Sequence, residues 1–331
     1  MLGASTGLLA AAGLHAQSGA QGQAAGRITD IPGVRVGHHT LAERPTGCTV
    51  ILFPPNTVGA VHQPGGAPGT AETDLLRPEN TVSVVHAILL SGGSSFGLDA
   101  RGGVMKYLEE QKIGFAFGGA YVPIVPAAIL FDLRVGDKPE IRPDARCGYE
   151  AARRAASGPV EEGSVGAGAG ATVGKIGAPA RPMKGGIGTA ALSADGLIVG
   201  AIVAVNSAGS IVERRTGRTL AGTGQSTAPL QTAALLENTT LAVVTTNATL
   251  TKAQALKVAQ MATSGLSRSI VPAFTTRDGD TLFALATGSL AGEPDISRIG
   301  AMAADAVSDA IERAVKLAKG VPGYPGLADP K

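Results

Sequence analysis

Thr239 is the hydroxyl residue best placed to do chemistry. Glu237-Asn238-Thr239-Thr240 is a polar corner that runs straight into Leu241-Ala242-Val243-Val244, and Thr245-Thr246-Asn247 reads as the turn that ends the run. The apolar run is rich in β-formers and predicts a strand. Ahead of it, Gly222 to Gln231 is a Gln/Ser/Thr/Gly stretch that reads as an exposed linker. A hydroxyl residue heading a buried strand, just behind a flexible loop, is what an N-terminal nucleophile hydrolase requires. Such a chain cuts itself before that residue. The new α-amine, with a reference pKa of about 7.7–8.0, can then serve the same residue as base near neutral pH. The competing reading is a Thr-rich strand edge, where Thr is at home in any case.

Other candidates sit at the ends of apolar runs. Asp278-Gly279-Asp280-Thr281 precedes Leu282 to Ala286. Asp-Gly is a hairpin signal, and two carboxylates two residues apart could equally hold an amine and a hydroxyl. Leu197 to Val205 ends in Asn206-Ser207-Ala208-Gly209; the amide could donate to an oxyanion or simply form a turn. Lys175 lies alone among glycines and apolar residues, as a surface lysine or as a positive charge in a pocket. Gly93-Ser94-Ser95-Phe96-Gly97 matches a nucleophile elbow with Ser95 as nucleophile. In that fold the triad histidine follows the serine, whereas His15, His38, His39, His62 and His86 all precede it. The elbow fails on order. What remains is a glycine-allowed turn, with Ser94 in it, whose free N–H groups can line a pocket. His38 and His39 are adjacent and would face opposite sides of a strand, so no metal site is expected. Gly166 to Gly170 lacks the G-x-G-x-x-G spacing, and no dinucleotide cofactor is expected.

These residues need elements to place them. Val34 to His38 and Cys48 to Phe53 predict strands, and Val82 to Leu90 predicts a strand buried on both faces. A helix is expected over Leu98 to Glu110. Another should run from an N-cap at Thr251 to about Thr263, stopped by Gly265, and a last one spans Ile299 to Lys319. Gly65-Gly66-Ala67-Pro68-Gly69-Thr70 suits a close backbone approach. The chain of 331 residues carries 47 Gly and a net charge of +2, with 3% aromatic residues and no Trp. That composition argues against a nucleic-acid surface, which wants basic stripes and stacking rings. Cys48 and Cys147 are too far apart in sequence for a CxxC pair or a zinc knuckle; they could join in a disulfide, but read first as buried thiols. Residues 1–26 read as a disordered tail. Their apolar run, Leu8 to Leu14, is too short to span a bilayer. The tail also fits a signal remnant cleaved near Ala16, although no Lys or Arg precedes Arg27, and the compartment stays open between cytoplasm and periplasm.

In chain order, five segments carry a resemblance: Ile31-Pro32-Gly33-Val34-Arg35-Val36-Gly37-His38, Ser91-Gly92-Gly93, Val205-Asn206, Asn238-Thr239-Thr240, and Asp278-Gly279-Asp280-Thr281-Leu282-Phe283-Ala284. From about Ile28 to the last helix the chain resembles the self-processing family of β-peptidyl aminopeptidases, L-aminopeptidase/D-esterases and nylon-oligomer hydrolases. The resemblance implies a four-layer α/β/β/α sandwich of N-terminal nucleophile type, a single catalytic domain over 27–331. It further implies cleavage between Asn238 and Thr239 into chains 1–238 and 239–331, and a homotetramer. On the same ground Thr239 is the nucleophile, Asn206 the oxyanion donor and Lys175 a catalytic lysine of the nylon-hydrolase branch. Asp278 and Asp280 look like that branch's paired acids, which orient the new N-terminus; the β-peptidyl aminopeptidases carry a serine and a glutamate there. Phe131 stands where family members often have a tyrosine, and with Ser94 it is a candidate lining of the substrate pocket. The expected function is hydrolysis of amide bonds in small linear oligoamides, such as 6-aminohexanoate oligomers, or in short peptides, with no cofactor and no nucleic-acid or membrane partner. The alternatives are an aminopeptidase acting on β-peptides or on D- or L-amino-acid amides and esters, an acetyl-transferring relative, and an unprocessed protein that binds a small ligand.

Overall fold

The computed structural model describes residues 26–176, 180–223 and 238–330. The tail expected over 1–26, apart from Gly26, therefore lies outside the described residues, as does the linker beyond Thr223. Two five-stranded sheets form the centre. In the first, β1 (Arg35–Thr40), β2 (Gly47–Leu52), β5 (Ala87–Ser91), β8 (Ala127–Ile129) and β4 (Thr70–Ala71) lie in that order. In the second the order is β11 (Gly186–Ala194), β12 (Leu197–Asn206), β15 (Thr239–Ala248), β17 (Thr281–Leu290) and β3 (Val58–His62). β12 and β15 are antiparallel, while β15 and β17 are parallel. Smaller pieces are the hairpin β6 (Phe115–Phe117) and β7 (Ala120–Val122), the pair β9 (Thr172–Val173) and β10 (Met183–Lys184), and β13 (Ser210–Val212) flanked by β14 (Thr219–Ala221) and β16 (Ile270–Val271).

The period-2 pattern of the inner strands sorts side chains into two cores. Leu241 and Val243 of β15 point between the sheets, with Ile51, Ile88 and Leu90 opposite. Ala242 and Val244 point the other way, into helices α3 (Lys252–Ser269) and α4 (Ile296–Lys316). Helices α1 (Ala100–Glu110) and α2 (Ala145–Arg153) cover the outer face of the first sheet over Val50, Leu52 and Leu89. The result is the four-layer α/β/β/α sandwich, in which central strands covered on both faces must be apolar throughout.

Some boundaries differ from the sequence reading, each for a local reason. Thr245-Thr246-Asn247 is strand rather than turn. β-branched residues fit the pleat, and the Asn247 amide is satisfied by Ile198 N–H and Gly196 O, each at 2.8 Å. Of Val82 to Leu90 only the part from Ala87 is strand, because His86 Nδ1 instead accepts the Ile124 N–H at 2.9 Å. A 3₁₀ segment over Ser94–Asp99 precedes α1, which starts at Ala100 rather than Leu98. Thr251 does cap α3, in a reciprocal box with Gln254, but Gly265 does not stop the helix. A Cβ at Gly265 would lie 2.2 Å from Ala304 O of α4, so this glycine lets two helices touch. The last helix is shifted three residues towards the N-terminus, because Asp295 Oδ1 caps it by accepting the Arg298 N–H at 3.0 Å. Asp278-Gly279 forms no hairpin, since β17 pairs with β15 and β3. Both cysteines are free and buried.

Candidate active site

The register of the second sheet assembles the site. Asn206, the last residue of β12, pairs with Thr239, the first of β15. The parallel pairing of β15 with β17 brings the segment ahead of β17, Asp278-Gly279-Asp280, alongside Asn238-Thr239-Thr240, and Asn238 bridges Asp278. The sequence separates these three pieces by tens of residues; strand ends collect them.

Around the Asn238–Thr239 peptide the geometry is tight. Thr239 Oγ1 donates to Asn238 O at 2.6 Å, and the same carbonyl accepts the Gly279 N–H at 2.8 Å. A Cβ at position 279 would come within 2.5 Å of Thr239 Oγ1, so only glycine allows this approach. Asp280 Oδ1 accepts the Thr240 N–H at 2.6 Å and its Oδ2 the Phe274 N–H at 3.2 Å. Asp278 Oδ2 accepts the Thr275 N–H at 2.7 Å, whereas its buried Oδ1 has no hydrogen-bond partner among the described residues. The Gly65–Ala67 loop lies against this segment: Ala67 N–H donates to Asp278 O at 2.9 Å, and a Cβ on Gly65 would clash with the same backbone.

Electrostatics follow from burial. Removal from water, then the neighbouring Asp278 charge, pushes the Asp280 carboxyl up to about 7. Burial raises Asp278 as well, opposed by its Thr275 hydrogen bonds and by Lys175. Two carboxyls so placed share an appetite for a positive group.

Asn206 is gripped at both ends. Its Oδ1 accepts Lys175 Nζ at 2.9 Å and Thr172 N–H at 3.0 Å, and its Nδ2 donates to Phe131 O at 2.9 Å. Thus Thr239, Asn238, Asn206, Asp278, Asp280 and Lys175 come together. Phe131 joins through its carbonyl rather than its ring. Ser94 is reached through its backbone, the N–H donating to Leu130 O at 3.0 Å, and it holds a left-handed φ of 56°. Sequence reasoning missed the Gly279 N–H, Thr172, and the buried Arg44, Asp132 and Lys184 beneath the Asn206 grip. The Gly between two Asp was the one readable signal among these.

A hydroxyl poised on a carbonyl, a polarising N–H, an amide donor and paired acids define a hydrolase of amide bonds, on a fold shared with known enzymes of that kind. A β-aminopeptidase from Burkholderia sp. superposes with a TM-score of 0.70 at 26% identity, over 93% of this chain and 92% of that one. The L-aminopeptidase D-Ala-esterase/amidase of Ochrobactrum anthropi, a variant of the N-terminal nucleophile hydrolase fold, superposes with a TM-score of 0.69 over 92% and 91% at 20% identity, a likeness of fold. Peptidase family S58 matches residues 26–328, and the chain belongs to that family. An uncharacterized aminopeptidase of Mycobacterium leprae is 44% identical over 90% of this chain and 92% of its own. A 6-aminohexanoate-oligomer endohydrolase of Kocuria sp. is 31% identical over 87% and 85%.

Proposed function

We propose that the chain cuts itself between Asn238 and Thr239, and that the freed Thr239 then hydrolyses linear amide bonds in short oligoamides of the 6-aminohexanoate type. The observation that carries this reading is the Thr239 hydroxyl on the Asn238 carbonyl, with the Gly279 N–H on the same oxygen. In the first step Oγ1 bonds to the Asn238 carbonyl carbon, and the Gly279 N–H offsets the charge that develops on its oxygen. The C–N bond breaks, the Thr239 nitrogen leaves as an amine with a proton, and water hydrolyses the resulting ester. The new ammonium falls beside Asp278 and Asp280, whose unpaired Asp278 Oδ1 can accept it.

In the second step the Thr239 amine takes the proton of Oγ1, which attacks the substrate carbonyl. Asn206 Nδ2 stabilises the oxyanion, the substrate amine leaves, and water releases the acyl group. Lys175, bonded to Asn206 Oδ1, holds positive charge behind that amide. Two features support oligoamides as substrates: the Asp-Gly-Asp segment with Lys175, and the identity to endohydrolases of 6-aminohexanoate oligomers. The second reading, an aminopeptidase on β-peptides or amino-acid amides and esters, draws on the higher identity to the mycobacterial protein named an aminopeptidase. We further propose that the chain assembles as the homotetramer the resemblance implies.

The deciding experiment is intact mass spectrometry with N-terminal sequencing, followed by a screen of both substrate classes. Two chains, the smaller beginning Thr-Thr-Leu-Ala, are expected. A chain that stays whole after long incubation sinks the self-processing mechanism, and turnover of amino-terminal amides alone moves the assignment to the second reading.

A further inference from the structure

Three charges are buried where the mechanism does not use them. Arg44 and Asp132 have fully buried side chains and pair at 2.5 Å, and Lys184 is 1% exposed. Placing ions inside a sandwich is costly unless each is fully engaged. All three find partners, although Arg44 Nε has none among the described residues, and the partners are informative.

Asn206 is held by two peptide groups. One is Phe131–Asp132, whose carbonyl accepts Nδ2; the other is Ala171–Thr172, whose N–H donates to Oδ1. The buried ions fasten both. Arg44 donates from Nη1 to Asp132 O at 2.9 Å and from Nη2 to Asp132 Oδ1, so it locks the residue that carries the first peptide. Asp132 is fixed further by Thr46 Oγ1 at 2.6 Å and the Gly93 N–H at 2.9 Å. Lys184 Nζ donates to Ala171 O at 2.9 Å, the carbonyl of the second peptide, as well as to Gly168 O and Gly185 O. The two halves meet: a Cβ on Gly170 would lie 2.6 Å from Asp132 Cβ, and one on Gly92 only 2.2 Å from Asp132 Oδ2. Burial disfavours both charges, lowering the Lys184 ammonium to about 7 and raising the Asp132 carboxyl, and each group's field opposes the shift of the other.

We infer that Arg44, Asp132 and Lys184 form a positioning frame that holds the Asn206 amide in the one orientation that keeps Nδ2 as a donor beside Thr239. A flipped amide would set its oxygen against the Phe131 carbonyl and its NH₂ against the Thr172 N–H and Lys175 Nζ, three repulsive contacts of which the frame makes the two to the peptides inescapable. The frame explains why Ser91-Gly92-Gly93 requires glycine at 92. It rests on the role proposed for Asn206.

The test is a double-mutant cycle on the full-length protein, with kcat and KM measured on an amide substrate and maturation followed by intact mass. Thr46→Val removes one hydrogen bond to Asp132 without unbalancing the buried charges, and Lys184→Met removes the grip on Ala171. Each is expected to lower kcat roughly 10–100-fold with KM little changed, the scale of a displaced catalytic group. Thr46→Ser should restore the rate. In an Asn206→Ala background the same substitutions should cost less than about twofold, because their effect passes through Asn206. For a variant that matures slowly, kcat is referred to the cut fraction that intact mass shows. Losses that add in full to that of Asn206→Ala overturn the frame and leave the ions a structural role. Full turnover by Asn206→Ala alone overturns the role of Asn206 itself, and the frame with it.

Discussion

At the scale of single residues, the site contrasts groups that chemistry needs free with groups that geometry pins. Thr239→Ala should leave the chain whole, and Thr239→Ser should still yield two fragments, both read by mass spectrometry. Asn206→Ala is expected to cut kcat by roughly 10²–10³, the scale of a lost oxyanion donor. In the intact Thr239→Ala chain, Asp280 makes a pH-dependent contribution to stability. Its folded pKa of about 7 lies above the ordinary 3.8. The folded state therefore binds the proton more tightly, so the contribution is greatest below about pH 4 and is lost as pH rises through about 7. Adding Asp280→Asn should flatten that part of a chemical-denaturation profile; an unchanged slope would show that another group titrates there. Thr239, Asn206 and the Asp-Gly-Asp segment were legible in the sequence because each sits at the end of an apolar run. Arg44, Asp132 and Lys184 were not, because nothing local marks a charge as buried when its partner is 88 residues away.

At the scale of elements, backbone contact overrules local preference. Gly265 looked like a stop, and as a helix former it is about 1 kcal/mol worse than Ala. Packing decides otherwise: its missing Cβ lets α3 meet Ala304 O of α4, and Ser308 Oγ donates to Gly265 O at 3.0 Å. Gly265→Ala gains that propensity yet must push the helices apart, for which overpacking costs about 1–3 kcal/mol. A net loss of stability in urea denaturation is expected, and a gain would mean the helices separate easily. Thr251 was readable as a cap because its partner Gln254 lies three residues away. The limits of β15 were not, since turn-forming Thr245-Thr246-Asn247 becomes strand only when β12 and β17 flank it.

At the scale of the molecule, the apolar runs announced strands covered on both faces, and the four layers supply that cover. Strand order was not visible, because pairing β15 with β17 in parallel depends on α3 crossing between them. β15 is the middle strand of its sheet, with β12 on one side and β17 backed by β3 on the other. A break before Thr239 would thus place two strands of the smaller fragment between strands of the larger one. Folding, a one-body search while the chain is whole, would become a meeting of two bodies once it is cut. Maturation would then act as a ratchet: the intact Thr239→Ala chain should refold from denaturant with a yield independent of concentration at high dilution, whereas the cut protein, once unfolded, should not find its way back.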